Sequence, residues 1–285
     1  MTWHFTEDPT AFRAAAARHL AAEPARNTAV LTLMDRADRL GWWTEPAGSV
    51  TGVLALSRSG ALDLGATTEE AARALARPAD AVALPGRARR ALGLPAGEEP
   101  AVLRGETAAV EAYARASARP WTVTTRLRLF RLGEPTPPDP APAGRGRTAT
   151  GADVPLVAAW AREFVVAVGD EPAADYTGFV AERISEGRLH LWEGPDGRPV
   201  SMAAVSRAIE GQARVHLVYT PPAERGHGYA AGATAAVGRT ALASGASHVL
   251  LFTDLSNPTS NALYRRLGYR PVTDHLAVEF TRLTR

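Results

Sequence analysis

The chain has 285 residues, no cysteine and no lysine, and a formal net charge of +2 at pH 7. The missing cysteine excludes disulfides, thiolate metal sites and an acyl-cysteine intermediate, and the balanced charge without an arginine cluster argues against a nucleic-acid partner. No apolar run reaches the roughly 18 residues of a membrane span. Residues 1–9 do not resemble a signal peptide, so we predict a cytoplasmic protein with no membrane partner.

A proline-rich stretch divides the chain. Five prolines lie between Glu134 and Gly144. Because proline removes backbone donors and holds the chain extended, the stretch predicts a semi-rigid linker at 135–147. It separates a domain of residues 1–134 from a domain of residues 148–285, each long enough for its own core.

In the first domain, helical periodicity predicts one helix at 11–22 and a second that begins after Pro24 and ends at Gly41. Strand-forming runs lie at 49–57 and 61–64. The further predicted elements are a helix at 67–76, a short strand at 81–84, a helix at 107–118 and a strand at 122–132. Two roles stay open for this domain, a folding partner that buries a sheet face and an acceptor-binding domain.

The second domain has a similar order of elements. Its predicted elements are helices at 153–168 and 175–186, strands at 189–193, 200–207 and 213–219, a helix ending near 244, a strand at 248–253, a helix at 258–267 and a strand at 277–283. The similar order predicts a duplicated α+β (α/β) fold, although the halves share no motif.

The glycine-containing loop from Thr220 to Gly228 is the most informative segment. It joins a predicted strand to a predicted helix, whose first N–H groups lack partners and carry the positive end of the helix dipole. Gly226 and Gly228 allow close approach of a ligand, and Arg225 can add a charge-assisted hydrogen bond. The loop therefore predicts a phosphate-binding site.

Three interpretations of this loop compete before any family is considered. A P-loop requires a lysine, which the chain lacks. Gly226, Gly228 and Ala231 fit a loose dinucleotide fingerprint, with Asp254 at the end of the next strand, but six residues separate the first glycine from the preceding strand. A simple glycine turn before a buried helix remains open.

Two sequence blocks resemble one family. Arg225-x-x-Gly228-x-Ala230 resembles the Q/R-x-x-G-x-G/A signature of the GNAT superfamily of acyl-CoA N-acyltransferases, and the run from Asn257 to Tyr269 resembles its N-x-x-A/S-x-x-L-Y-x-x-x-G-F/Y ending. The resemblance covers residues 148–285. It implies two GNAT-like domains, each a mixed, mostly antiparallel sheet flanked by helices, the first a degenerate copy without the loop signature.

The resemblance also implies roles for residues. The protein would transfer an acetyl group from acetyl-CoA to a primary amine by direct attack in a ternary complex, without a metal. Backbone around Val218 to Thr220 and the side chain of Asn257 would contact pantetheine, and the loop would hold the pyrophosphate. Tyr264 would protonate the leaving thiolate, with core packing as its alternative role. The expected cofactor-binding residues are Val218, Tyr219, Thr220, Arg225, Gly226, His227, Gly228, Tyr229, Ala230 and Asn257.

The acceptor side is left open by the sequence. The candidate general bases are His216, Glu210, Glu163 and Asp254. The acceptor is expected to be a small molecule, such as a simple amine, an amino acid or an antibiotic, and the protein a monomer or homodimer. A non-catalytic acyl-CoA sensor is the alternative function.

Overall fold

The computed structural model describes residues 1–57, 60–76, 100–169 and 172–281. The chain forms two compact units. The first unit comprises Met1–Leu129, Asp254–Ser256 and Val272–Arg285, and the second comprises Phe130–Thr253 and Asn257–Pro271. This division differs from the predicted one, because the boundary precedes the proline-rich stretch and the C-terminal strand belongs to the first unit from Val272 onward. The predicted strand at 81–84 lies outside the described residues.

The first unit contains a mixed sheet flanked by helices. Its elements are β1 (Thr2–Thr6), α1 (Pro9–Ala22), α2 (Thr28–Leu33), β2 (Arg39–Thr44), β3 (Val50–Leu56), β4 (Ala61–Leu64), α3 (Glu69–Ala76), β5 (Val102–Glu106), α4 (Thr107–Ala116) and most of β6 (Trp121–Leu132). The strands follow the order β1-β2-β3-β4-β5, and the C-terminal part of β12 (Tyr269–Phe280) pairs with β5. Only the pair β4–β5 is parallel among these.

The predicted second helix is wrong beyond its first turns. α2 ends at Leu33, a short 3₁₀ turn follows to Arg36, and Arg39–Thr44 is a strand. Trp43 lies opposite Trp3 of β1 in this ladder and is buried in the core. Large aromatic residues pair well across strands, and this non-local pairing outweighs the helical spacing of the apolar residues. Strands β1 and β5 were not predicted.

The second unit contains the remaining elements. They are β7 (Arg145–Thr148), α5 (Val154–Ala167), α6 (Thr177–Ser185), β8 (Leu189–Glu193), β9 (Pro199–Val205), β10 (Gln212–Tyr219), α7 (Tyr229–Ala243), β11 (His248–Asp254) and α8 (Pro258–Arg266). Its strands follow the order β11-β10-β9-β8-β7, and the pair β10–β11 is parallel. The predicted linker to residue 147 gives way at Arg145 to β7, which pairs antiparallel with β8.

Both halves of the chain follow the same order of described elements. Each has a strand, two helices, three strands, a helix, a strand, a helix and a final strand. The predicted α+β fold with mixed, mostly antiparallel sheets is therefore confirmed, and so is the repeated arrangement.

Two apolar clusters form the core of the second unit. Ala213 and Val215 of β10 pack with residues of α7 and α8, whereas Leu217 and Tyr219 belong to the cluster that contains α5 and α6. A change of register after His216 accompanies this switch, and Leu217 has a φ of 50°. Such a bulge redirects the side chains that follow it.

Candidate active site

The parallel strands β10 and β11 stop pairing before either strand ends. Their paired register runs from Gln212 with His248 to Val215 with Leu251. β10 continues to Tyr219 and β11 to Asp254. Beyond Val215, the backbone of β10 is therefore released from pairing with β11. An unpaired strand edge can take up an extended ligand through its N–H and C=O groups.

The loop after β10 leads directly into α7. Gly226 has a φ of 85°, and Gly228 has a φ of 78° and occupies the N-cap position of the helix. Among the described residues, the N–H groups of the five residues from Gly226 to Ala230 donate no hydrogen bond, whereas those of Ala231 and Gly232 bond to the carbonyl of Gly228. These free donors lie at the positive end of a helix of 15 residues. The arrangement suits an anion.

Short contacts fix both ends of this loop. Arg225 Nε donates to the carbonyl of Thr220 at 3.1 Å. Ser201 Oγ donates to the carbonyl of Tyr219 at 3.0 Å and lies 2.9 Å from Thr220 Oγ1. The ring of His227 stacks on Tyr229, with their centroids 5.4 Å apart. The predicted residues from Tyr219 to Tyr229 are thus held as one structured segment.

Trp192 supports the first turn of α7. Its Nε1 donates to the carbonyl of Ala143 at 2.9 Å. Its ring lies so close to Gly232 that a Cβ there would be 2.6 Å from the nearest ring atom. Pro142 would lie 3.5 Å from a Cβ on Gly228. No local sequence signal indicated this contact, because the tryptophan is far from the helix along the chain.

Tyr264 lies in α8 with only 7% of its surface exposed. Its ring contacts those of Tyr269 and Phe130, with centroid distances of 5.9 Å and 6.5 Å. Burial raises the pKa of Tyr264 to about 12, so the phenol stays protonated at neutral pH. Tyr264 belongs to the same apolar cluster as Val215 and Val218 of β10. A proton donor at this position can act on a leaving group held along β10.

The loop, β10 and Tyr264 all fall within one family match. Residues 155–269 match the model of the acetyltransferase (GNAT) family. Residues 155–269 form a GNAT acetyltransferase domain. The predicted family is thereby confirmed for this segment, and members of the family transfer an acyl group from an acyl-coenzyme A. No curated protein sequence matches the chain significantly.

Several solved structures share the fold over nearly the whole chain. An acetyltransferase of the GNAT family from Colwellia psychrerythraea is 12% identical with a TM-score of 0.60, over 98% of this chain and 99% of that chain. GCN5-related N-acetyltransferases from Sphaerobacter thermophilus (17% identity, TM-score 0.63, 98% and 96% covered) and Kribbella flavida (17%, 0.57, 92% and 95%) are also similar. This similarity extends the GNAT fold to both halves of the chain.

Asn257 of the GNAT domain is the N-cap residue of α8. Its Oδ1 accepts a hydrogen bond from the N–H of Ser260 at 3.0 Å, and its carbonyl accepts one from Asn261 Nδ2 at 2.8 Å. The residue is exposed. The side-chain Nδ2 of Asn257 has no partner among the described residues. The capping role therefore leaves the amide donor of Asn257 available to a ligand.

His216 is unsuited to the role of general base. Arg183 Nε donates to His216 Nε2 at 3.4 Å, so the lone pair of the neutral ring is engaged. Burial, followed by the charges of Arg183, Arg214 and Arg188, lowers the pKa of His216 to about 3. A group with so low a pKa is a weak proton acceptor at neutral pH.

Two other candidate bases have evident local roles. Glu210 has a φ of 50° and, with Gly211 at 70°, forms the turn that joins Ile209 to Gln212. Asp254 Oδ1 accepts hydrogen bonds from the N–H and Oγ of Ser256, both at 2.7 Å. The backbone of Glu210 and the side chain of Asp254 thus each stabilise the turn in which they lie.

Glu163 contacts the end of β10. The hydroxyl of Tyr219 donates to Glu163 Oε2 at 2.6 Å. Glu163 is exposed on α5, whereas Tyr219 is buried beside Trp160, with ring centroids 6.3 Å apart. Of the four candidate bases, Glu163 is the one bonded to the side chain of a predicted cofactor-binding residue. The sequence indicated both residues without indicating that they meet.

The first unit has a closed loop at the corresponding position before α3. The side chain of Asn27, which is fully buried, accepts the N–H of Ala66 at 2.8 Å. The N–H groups of Gly65 and Thr68 bond to carbonyls of β3. The first turn of α3 also carries Glu69 and Glu70. These donors are occupied and the charge is negative, so this loop is not an anion site.

The described residues contain no group of three or more His, Asp or Glu side chains arranged to hold a metal ion. No helix among them is both long enough and apolar enough to cross a membrane.

Proposed function

We propose that the GNAT domain transfers an acetyl group from acetyl-CoA to a primary amine of a small-molecule acceptor. The observation that carries this proposal is the row of free N–H groups from Gly226 to Ala230, at the N-terminus of α7 and next to the strand edge beyond Val215. A pyrophosphate matches the donors, and an extended pantetheine arm matches the strand edge. Arg225 adds a positive charge to the same loop.

The proposed chemistry is a direct transfer in a ternary complex. The neutral amine nitrogen forms a bond to the thioester carbonyl carbon, the C–S bond breaks, and the thiolate takes the proton of Tyr264. The proton lost by the amine nitrogen goes to water, and water returns a proton to the tyrosinate. The backbone from Val218 to Thr220 and the amide of Asn257 orient pantetheine. The chain has no cysteine, so no acyl-cysteine forms on the way. Proximity of the two substrates supplies much of the rate.

An amine panel read by thiol release tests the transferase activity. The full-length protein is mixed with acetyl-CoA and one member of a set of polyamines, alkyl amines, amino acids or aminoglycosides. We expect at least one amine to release free coenzyme A well above the hydrolysis rate without amine. Tight binding of acetyl-CoA with no release for any amine would reject the transferase and favour the sensor.

A pair of glycine variants tests the pyrophosphate loop. Gly226 and Gly245 have φ values of 85° and 89°, and a Cβ would meet no atom within 4 Å at either position. Alanine therefore imposes a similar local cost at both. Alanine disfavours the positive φ that orients the N–H groups of the loop. We therefore expect Gly226→Ala to weaken acetyl-CoA binding roughly 10- to 100-fold, which corresponds to the loss of one charge-assisted hydrogen bond. Gly245→Ala should leave the Kd unchanged. Equal Kd values in calorimetry would exclude this loop as the pyrophosphate site.

A further inference from the structure

Glu163 is held at the end of β10 by a single short hydrogen bond. Tyr219 is the last residue of β10, and its hydroxyl donates to Glu163 Oε2 at 2.6 Å. The carbonyl of Tyr219 is itself fixed by Ser201 Oγ. One end of the tyrosine is thus fixed to β9 and the other to α5. The carboxylate of Glu163 therefore has a defined position relative to the strand edge proposed for pantetheine.

The hydrogen bond between Tyr219 and Glu163 lies near Arg225 of the loop proposed to bind pyrophosphate. Burial and the hydrogen bond to Glu163 raise the pKa of Tyr219 to about 12, and the charge of Arg225 acts in the opposite direction. Arg225 is therefore close enough to influence the phenol electrostatically. Tyr219 stays a hydrogen-bond donor at neutral pH, and Glu163 remains the acceptor.

The carboxylate of Glu163 has capacity for a further partner. Its second oxygen accepts no hydrogen bond from the described residues, and no described cation forms an ion pair with it. The adjacent Arg162 donates instead to the carbonyl of Ala173 at 3.1 Å. A carboxylate with one oxygen fixed and the other exposed can bind an ammonium group.

An apolar side chain lies one turn further along the same helix face. Val166 is 58% exposed, and residues three positions apart in a helix are neighbours on its surface. A ligand whose ammonium group binds Glu163 can cover Val166 with its apolar part. Glu163 and Val166 together favour binding of an amine that carries an alkyl or aryl group over binding of one that carries hydroxylated carbons.

We propose that Glu163 binds the ammonium group of the acceptor, and that the acceptor is an alkyl or arylalkyl amine with no carboxylate beside its nitrogen. An α-carboxylate would lie next to the Glu163 carboxylate and be repelled by it. This inference rests on the proposed function and deepens it by naming the acceptor class. Glu163 recognises the acceptor, and Tyr219 is the residue that positions Glu163.

Binding of a matched pair of ligands tests the inference independently of turnover. Phenethylamine and phenylalanine share the ring and amine and differ by the carboxylate. Calorimetric titrations use the full-length protein saturated with coenzyme A. We expect phenethylamine to bind more tightly than phenylalanine to the wild type. Glu163→Gln, which can still accept from Tyr219, should weaken phenethylamine about tenfold and reduce its preference over phenylalanine. Glu111→Gln changes a half-buried glutamate of α4 that pairs with Arg115; it is the control and should change neither value.

Several outcomes would overturn the inference. They are equal wild-type affinities for the two ligands, no binding of phenethylamine to the wild type at millimolar concentration, or an unchanged affinity in Glu163→Gln. Thiol release with the amine panel tests the transferase proposal separately. Glu163-dependent binding of phenethylamine without thiol release for any amine would reject the transferase and leave the amine site standing.

Discussion

Tyr264 and Tyr269 are two buried phenols in one apolar cluster of the GNAT domain. Both have less than a tenth of their surface exposed, and their rings meet edge to face. Burial raises the pKa of each, so both stay protonated at neutral pH. Packing alone does not separate a catalytic tyrosine from a structural one here. Removal of each hydroxyl separates them, because the ring and its contacts remain.

Tyr264→Phe should lower kcat about 100-fold, as expected for loss of a general acid. The Kd of acetyl-CoA should stay within about twofold, since the hydroxyl of Tyr264 has no partner among the described residues. Tyr269→Phe is the matched control and should leave kcat unchanged, although the Tyr269 hydroxyl is also buried without a partner. Thiol-release kinetics and calorimetry measure both quantities. Equal kcat values for the two variants would assign Tyr264 to the core alone.

His216 should make the stability of the protein depend on pH. Its pKa falls from 6.5 to about 3 in the folded chain, so the unfolded chain binds a proton first as the pH decreases. The stabilisation is complete above pH 6.5 and is lost progressively toward pH 3. Between pH 7 and pH 5 the loss is roughly 1–2 kcal/mol.

Urea unfolding of the wild type and His216→Gln at both pH values measures this effect. Glutamine keeps an acceptor for Arg183 but does not titrate. The wild type should lose more unfolding free energy on acidification than the variant, because the other histidines titrate alike in both. An equal loss would mean that a different group is responsible.

Helix α7 shows how a close contact fixes a functional element. Trp192 lies against Gly232, one turn after the N–H groups proposed to bind pyrophosphate. A side chain at position 232 would displace either the ring or the helix start. Gly238 lies in the same helix, and a Cβ there would meet Tyr269 Oη at 3.7 Å, an ordinary contact.

Gly232→Ala should therefore destabilise the protein by about 1–3 kcal/mol through overpacking. Gly238→Ala should be neutral or stabilise it by up to about 1 kcal/mol, because alanine has the higher helix propensity. Thermal unfolding of both variants compares two chemically identical changes in one helix. Equal destabilisation would show that the Trp192 contact does not limit this helix.

The elements differ in how far the sequence could predict them. The glycine loop, α8 and the paired sequence blocks are local patterns, so their positions and the family were predicted. The helical repeat that includes Leu40 predicts a helix to Gly41 and so misses the start of β2, whose pairing with Trp3 of β1 depends on a distant strand. The contact between Tyr219 and Glu163 likewise joins residues 56 positions apart. Release of β10 from β11 after Val215 depends on a bulge that no local motif specifies.

At the scale of the whole molecule, neither unit is a continuous stretch of chain. The first unit takes Leu276, Val278 and Phe280 into its core, and the second takes Phe130. A boundary drawn at the proline-rich stretch therefore removes core residues from both. The fragments 1–138 and 139–285 should each fail to unfold cooperatively when expressed alone.

Co-expression of the same two fragments is the control. Every strand is then present, and the break lies between Pro138 and Asp139 in the proline-rich stretch. We expect the co-purified pair to recover cooperative unfolding and acetyl-CoA binding. Circular dichroism measures the unfolding of each sample. Cooperative unfolding of either fragment alone would contradict the conclusion that each unit needs core residues from both sides of the proline-rich stretch.

The late position of β12 also has a consequence for synthesis on the ribosome. Domains generally fold as they emerge, N-terminal part first. Here β5 of the first unit lacks its antiparallel partner until residues 275–279 have been synthesised. An incomplete sheet edge exposes unpaired backbone groups and invites aggregation. A nascent chain that has reached only residue 271 therefore exposes this edge of the first unit, and chaperones would have to protect it until residues 275–279 have been synthesised.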